Sequence, residues 1–191
     1  MKPVALICHP SKRVTAVDGI NADVLRQPNG TLAIAITLTG GLSGLRIPRA
    51  SAPRIADRLW EHTCFEVFVA AEGTDAYHEF NLSPSGEWMV HAFRRYRDGG
   101  PLADDGFNPQ IATRQQDRWF ELTATLRLNR LSADYSLVPL QLGLSAVIED
   151  ARGSLSYWAL RHPPGKPDFH CRDAFVLRLD ALDVDGAGNP R

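Results

Sequence analysis

Alternation of apolar and polar positions dominates the chain. In TLAIAITLT, Leu32, Ile34, Ile36 and Leu38 fall on one side of an extended backbone and Thr31, Thr37 and Thr39 on the other, the period of a half-buried strand. WFELTATLRL sets Phe120, Leu122, Ala124, Leu126 and Leu128 against Trp119, Glu121, Thr123, Thr125 and Arg127. LQLGLSAVIED sets Leu140, Leu142, Leu144, Ala146 and Ile148 against more polar partners. Further strands are predicted over 4–9, 14–20, 64–70, 76–82, 87–96, 110–116, 154–161 and 174–179. Turn residues punctuate them, as in Pro28-Asn29-Gly30, Ser83-Pro84-Ser85-Gly86 and Asp98-Gly99-Gly100-Pro101, each supplying backbone geometry that reverses a chain. Helical spacing is confined to one short turn, Pro53 to Trp60. About ten to eleven short strands without βαβ spacing predict an all-β fold, an antiparallel β-sandwich of jelly-roll-like type with little helix, and a barrel as second choice.

A length of 191 residues suits one domain with a real core, over 1–191, with a frayed tail at about 185–191. The formal net charge of -1 lacks the basic excess that binds phosphate backbones, so nucleic acid is not an expected partner. No apolar run reaches membrane-spanning length, and the apolar stretch Pro3 to Cys8 is too short for a signal peptide. The expectation is therefore a soluble, cytoplasmic protein without a membrane partner. Cys8, Cys64 and Cys171 are far apart and form no CxxC pair, which argues for reduced thiols rather than disulfides or a thiolate zinc site.

Comparing strand faces locates the candidate chemistry. In 64–70, Phe65, Val67 and Val69 point one way and Cys64, Glu66 and Phe68 the other. A hairpin across Glu72-Gly73-Thr74-Asp75 brings Glu66 beside Glu79 and Asn81 on one polar face. EWMVHAFRRYR adds a strand with Glu87, Met89, His91, Phe93 and Arg95 on one side and Trp88, Val90, Ala92 and Arg94 on the other; which side meets the polar patch is left open by the sequence. Such a face suits a sugar, which offers an apolar ring face for stacking and hydroxyls for carboxylate, amide and guanidinium groups. Trp60, just before a strand, and Trp158, beside Tyr157, are the stacking candidates, whereas Trp88 and Trp119 are assigned to the core. Since Phe65 and Val67 turn away from Glu66, that carboxylate is expected to be partly exposed and ionised.

WEHTCFEVFV, then YHEFNLSPSGEW, then SYWALRHP resemble, in that order, the DOMON-like superfamily and, within it, the family 9 carbohydrate-binding modules. The likeness spans about residues 14–180 and extends to stand-alone bacterial DOMON-like proteins. It implies that Trp60 and Trp158 clamp a sugar ring while Glu66 accepts from its hydroxyls. Asn81, Glu79, Arg94, Arg95 and Tyr157 are the further candidates. The implied function is non-catalytic binding of a small carbohydrate or polyol, with no cofactor and no metal; a protein partner is not indicated.

Two alternatives stay open. DOMON relatives include haem b domains held by a methionine and a histidine, for which Met89 with His91, His162 or His170 is available. The other is a structural or interaction domain without a small ligand. His162, Asp168 and His170 in RHPPGKPDFHC could bind a metal, but the prolines first describe a stiff loop, whose Lys166 could touch a ligand. Glu66 and Glu79 could also form a glycosidase pair. No GxSxG, HExxH, P-loop or dinucleotide motif accompanies them, so no enzyme is expected.

Overall fold

The computed structural model describes residues 3–182, and the tail expected at 185–191 lies outside the described residues. The first strands are β1 (Val4–Cys8), β2 (Val17–Arg26), β3 (Thr31–Gly40) and the two-residue β4 (Arg54–Ile55). β5 (Cys64–Ala71), β6 (Tyr77–Leu82), β7 (Glu87–Arg95) and β8 (Asp98–Pro101) follow as a meander. β9 (Gln110–Gln116) and β10 (Trp119–Arg127) form a hairpin, and β11 (Leu140–Glu149), β12 (Leu155–Ala159) and β13 (Leu177–Leu179) complete the set.

The strands hydrogen-bond in the order β4-β7-β6-β5-β11-β12-β1-β2-β3-β10-β9, with β13 beside β11 and β8 beside β7. Pairing is antiparallel except between β4 and β7. β1 joins the two halves: Val4 to Leu6 pair with β2, while Ile7 and Cys8 pair with β12. The sheet curls so that the halves face each other across one apolar core. Phe65 of β5 stacks on Phe120 of β10, ring centroids 6.1 Å apart, among Leu32, Ile36, Leu122, Val67 and Leu144. Fully burying such a side chain contributes about 1.5–3 kcal/mol. The fold is all-β, as the alternation predicts.

The differences from expectation have local causes. β2 begins at Val17 and runs on to Arg26, past the predicted 14–20; small Ala22 and charged Arg26 among its inward positions hide the alternation. Buried Arg26 spreads its guanidinium over the carbonyls of Tyr135, Val138 and Asp180. The turn predicted at Asp98-Gly99-Gly100-Pro101 is β8, where a Cβ on Gly99 would meet the Ala92 carbonyl oxygen at 1.9 Å; only glycine permits that approach. The helical turn at Pro53 to Trp60 is replaced by β4 and a single 3-10 turn, Leu59–Glu61. It is broken by Arg58, whose φ of 58° is left-handed. The strand expected at 174–179 is a 3-10 turn, Arg172–Ala174, followed by β13.

Candidate functional site

The β5–β6 hairpin forms with Glu66 opposite Asn81 and Phe68 opposite Glu79. Glu79 in turn faces His91 on β7, and Ser145 of β11 faces Glu66. The outward face of β7-β6-β5-β11-β12 therefore gathers Glu66, Glu79, His91, Val147 and Tyr157. Much of this face is covered, with Phe93 and Tyr157 left half-buried. The chain after β12 folds back across it, and Phe175 packs on Phe68, ring centroids 5.4 Å apart. Gly143 makes room, since a Cβ there would lie 2.8 Å from the Phe175 ring.

Asp168 straps this covering segment down. Its carboxylate accepts from Arg97 Nη2 at 2.9 Å, from the Tyr96 hydroxyl at 2.8 Å and from the His170 backbone N–H at 3.2 Å. The Arg97 backbone N–H donates to the Tyr77 hydroxyl oxygen at 3.2 Å, and that hydroxyl lies 2.9 Å from His170 Nδ1. The hydroxyl and Nδ1 are within hydrogen-bonding distance, with donor and acceptor set by the imidazole tautomer. Nε2 lies 3.8 Å from Glu79 Oε2. Between sheet and covering segment remains a cavity of about 740 Å³, within the range of ligand sites, roughly 300–1,000 Å³.

Trp60, Glu66, Glu79 and Tyr157 line it. Asn81 lies beneath, fully buried, and donates from Nδ2 to Glu79 Oε1 at 2.6 Å. Trp158 does not reach it: alternation turns Trp158 into the core, where it is 7% exposed and its Nε1 donates to Ser156 Oγ at 3.0 Å. The cavity aromatic on β12 is Tyr157. Arg94 and Arg95 are on the surface, both paired with Asp98. A register shift between Phe93 and Arg95 breaks the alternation, and the arginine delivered to the cavity is Arg97, at a left-handed φ of 53°. Trp119, expected in the core, is half-buried on the outward face of β10.

Sequence reasoning also missed Phe93 and Phe169 as cavity walls. Phe93 stacks on Tyr77 at 4.8 Å, and Phe169 lies 6.2 Å from Tyr157. Trp60, 38% exposed on the 3-10 turn, meets His91 edge-on at 6.0 Å. Parity along β7 already placed Phe93 with His91, but only the long-range folding of residues 161–176 shows that this face is roofed.

The electrostatics follow from the roof. Glu66 is 4% exposed rather than solvent-facing. Burial, reinforced by the Glu79 charge, pushes its pKa well above the usual carboxylate range, against the opposing effects of Ser145 and Arg97. Glu79 is raised too, again mainly by burial. Burial and then the Arg97 charge push His170 down to about 4, and burial lowers His91. At neutral pH the imidazoles are uncharged and the acid pair retains protons readily. Such a pair both donates to and accepts from a ligand hydroxyl.

Met89 and His91 project from the same face of one strand, so they cannot take opposite faces of a planar haem. His162 bonds to the Ile7 carbonyl oxygen at 2.7 Å, and it and Met89 are outside the cavity lining. The Met/His pairs do not converge on a haem site. His162, Asp168 and His170 do not gather round a metal either: Asp168 is taken up by Tyr96 and Arg97, and His170 by Tyr77.

No protein-family model matches the chain, and no curated protein matches its sequence. Solved structures do. A Bacteroides uniformis protein provisionally classed as carbohydrate-binding superposes with a TM-score of 0.66 at 14% identity, over 94% of this chain and 86% of its own. A family 9 carbohydrate-binding module from Caldicellulosiruptor kristjanssonii, in complex with glucose, gives a TM-score of 0.54 at 9% identity, covering 94% and 84% of the two chains. A family 9 module from the same organism in complex with cellotriose gives 0.57 at 9% identity, covering 96% and 85%. The fold of this chain is similar to that of the family 9 carbohydrate-binding modules.

Proposed function

We propose that the roofed cavity binds a small carbohydrate or related polyol without cleaving it. The observation that carries this reading is the meeting of aromatic walls with two buried carboxylates in a cavity of about 740 Å³. Sugar rings present apolar faces to Trp60 and Tyr157, while Glu66, Glu79 and Arg97 exchange hydrogen bonds with hydroxyls. Trp60 rests against β7 and Tyr157 belongs to β12, four strand spacings away in the sheet order. At about 4.8 Å per spacing, that is roughly 19 Å along the sheet. Stacking on one ring from both sides needs only about 7–8 Å, so each aromatic serves its own part of the ligand. The fold likeness to modules solved with glucose and cellotriose supports the reading.

Calorimetric titration with mono- and oligosaccharides tests it. Binding that Trp60→Ala and Glu66→Gln both weaken at least about tenfold, or about 1.4 kcal/mol, is the expected result. Binding indifferent to both substitutions, or sugar hydrolysis in the same samples, contradicts it.

A further inference from the structure

The acids that face the cavity outnumber its unpaired cations, and this surplus, held as protonated carboxyl until a cation arrives, specifies the ligand more closely. Of the groups that face it, Glu61 is held by Arg58 and Arg97 by Asp168. His91 and His170 are neutral at physiological pH because burial lowers both. Beneath the floor, burial and the neighbouring acids keep Cys64 a thiol. Among the described residues, two carboxylates, Glu66 and Glu79, are left facing one ammonium without an ion-pair partner, Lys166. Neither carboxylate is matched by a cation within hydrogen-bonding distance: the contacts are a hydroxyl, Ser145, at 3.1 Å on Glu66 and an amide, Asn81, at 2.6 Å on Glu79. Glu66 is 96% buried by its 4% exposure, yet its Oε1 takes no hydrogen bond among the described residues while the side chain lines the cavity. That oxygen is open to the cavity and free to accept from a ligand.

Resting on the sugar-binding reading, we propose that the cavity selects a sugar bearing a protonated amino group, a hexosamine in its ammonium form, whose cation is received by Glu66 and Glu79. One positive charge offsets the carboxylate that forms as the pair gives up a proton. Charge-assisted hydrogen bonds to it are about twice as strong as those a neutral hydroxyl makes, and an aromatic ring of the lining within about 6 Å favours a cation as well as an apolar ring face. Glucose, offering a hydroxyl in place of the ammonium, leaves the acid pair sharing its protons.

The test is a parallel titration of the wild-type protein with glucosamine and with glucose, at about pH 6.5, below the titration range of an ordinary amine. Glucosamine is expected to bind at least about tenfold more tightly. Its binding should release protons, read as a heat that changes with the ionisation enthalpy of the buffer, because the incoming cation displaces what the acids hold. The glucosamine-to-glucose ratio should fall with added salt in the wild type and towards unity in Glu79→Gln. Glucose binding as tightly as glucosamine, or a salt-independent preference without proton release, overturns the inference while leaving the sugar reading intact. Failure of both sugars to bind overturns the two together.

Discussion

The two outward faces of the sandwich are built from the same kind of alternating strand and end in opposite states. On β3 and β10 every second residue is half-buried and meets water, with ion pairs such as Arg114–Glu121 on the surface. On β5 and β11 nearly every residue is buried, outward ones included, because residues 161–176 lie across them. An open face asks only for solubility. A covered face could have been filled with aliphatic side chains, which need no partners. This one instead keeps two carboxylates, an arrangement that costs stability when no ligand is present and that underlies the proposal of a binding surface here.

The sharpest way to break the contrast is to remove the cover. Phe175→Ala should cost about 3 kcal/mol or more in chemical denaturation. Thr123→Ala on the open face of β10 should stay within about 0.5 kcal/mol.

A second experiment compares wild type with the Glu66→Gln, Glu79→Gln double variant across pH. An acid whose pKa is raised in the folded state keeps a proton that the unfolded chain has already lost, so folding stability falls as pH rises from the ordinary carboxylate range through the raised values. The variant should therefore match the wild type most closely in acid and gain on it towards neutrality. The gain is about 1.4 kcal/mol for each unit by which the pair is raised. His170 and His78, both pushed down to about 4 by burial, act oppositely: they contribute stability that is lost as pH falls below the usual histidine range. His78 does so in both proteins and cancels in the difference, whereas His170, 3.8 Å from Glu79, adds a smaller change confined to the acid side of the histidine range. A pH-independent difference contradicts the assignment of Glu66 and Glu79 as buried acids.

Smaller in size, Asp168→Asn weakens the strap to Arg97 and should cost about 1 kcal/mol, with faster amide exchange concentrated in residues 161–176. Smallest, Arg94→Ala should change stability by less than about 0.5 kcal/mol, since its partner Asp98 is reached across an exposed surface.

The same contrast explains how far the sequence could be read. On β3 and β10 one face is wet, so the pattern states directly which residues are inside. The hairpin that joins Glu66, Glu79 and Asn81 was legible for the same reason, from parity and one turn. What parity cannot show is a cover supplied from about a hundred residues further along the chain, so Glu66 reads as solvent-facing although it is buried. Trp158 and Tyr157 are adjacent and opposite in parity, and a likeness of short motifs does not fix parity; the tryptophan belongs to the core. Arg97 was hidden by the irregularity after Phe93, where counting by twos fails.

The central claim, that the covered face and not the open one receives a sugar, is tested most directly by mapping backbone and indole NMR shifts during titration with glucosamine and with cello-oligosaccharides. The account predicts that the Trp60 indole and the amides of Glu66, Tyr157 and residues 166–170 move together while those of β3 and β10 stay still. Shifts confined to β3 and β10, or none at saturating sugar, contradict it.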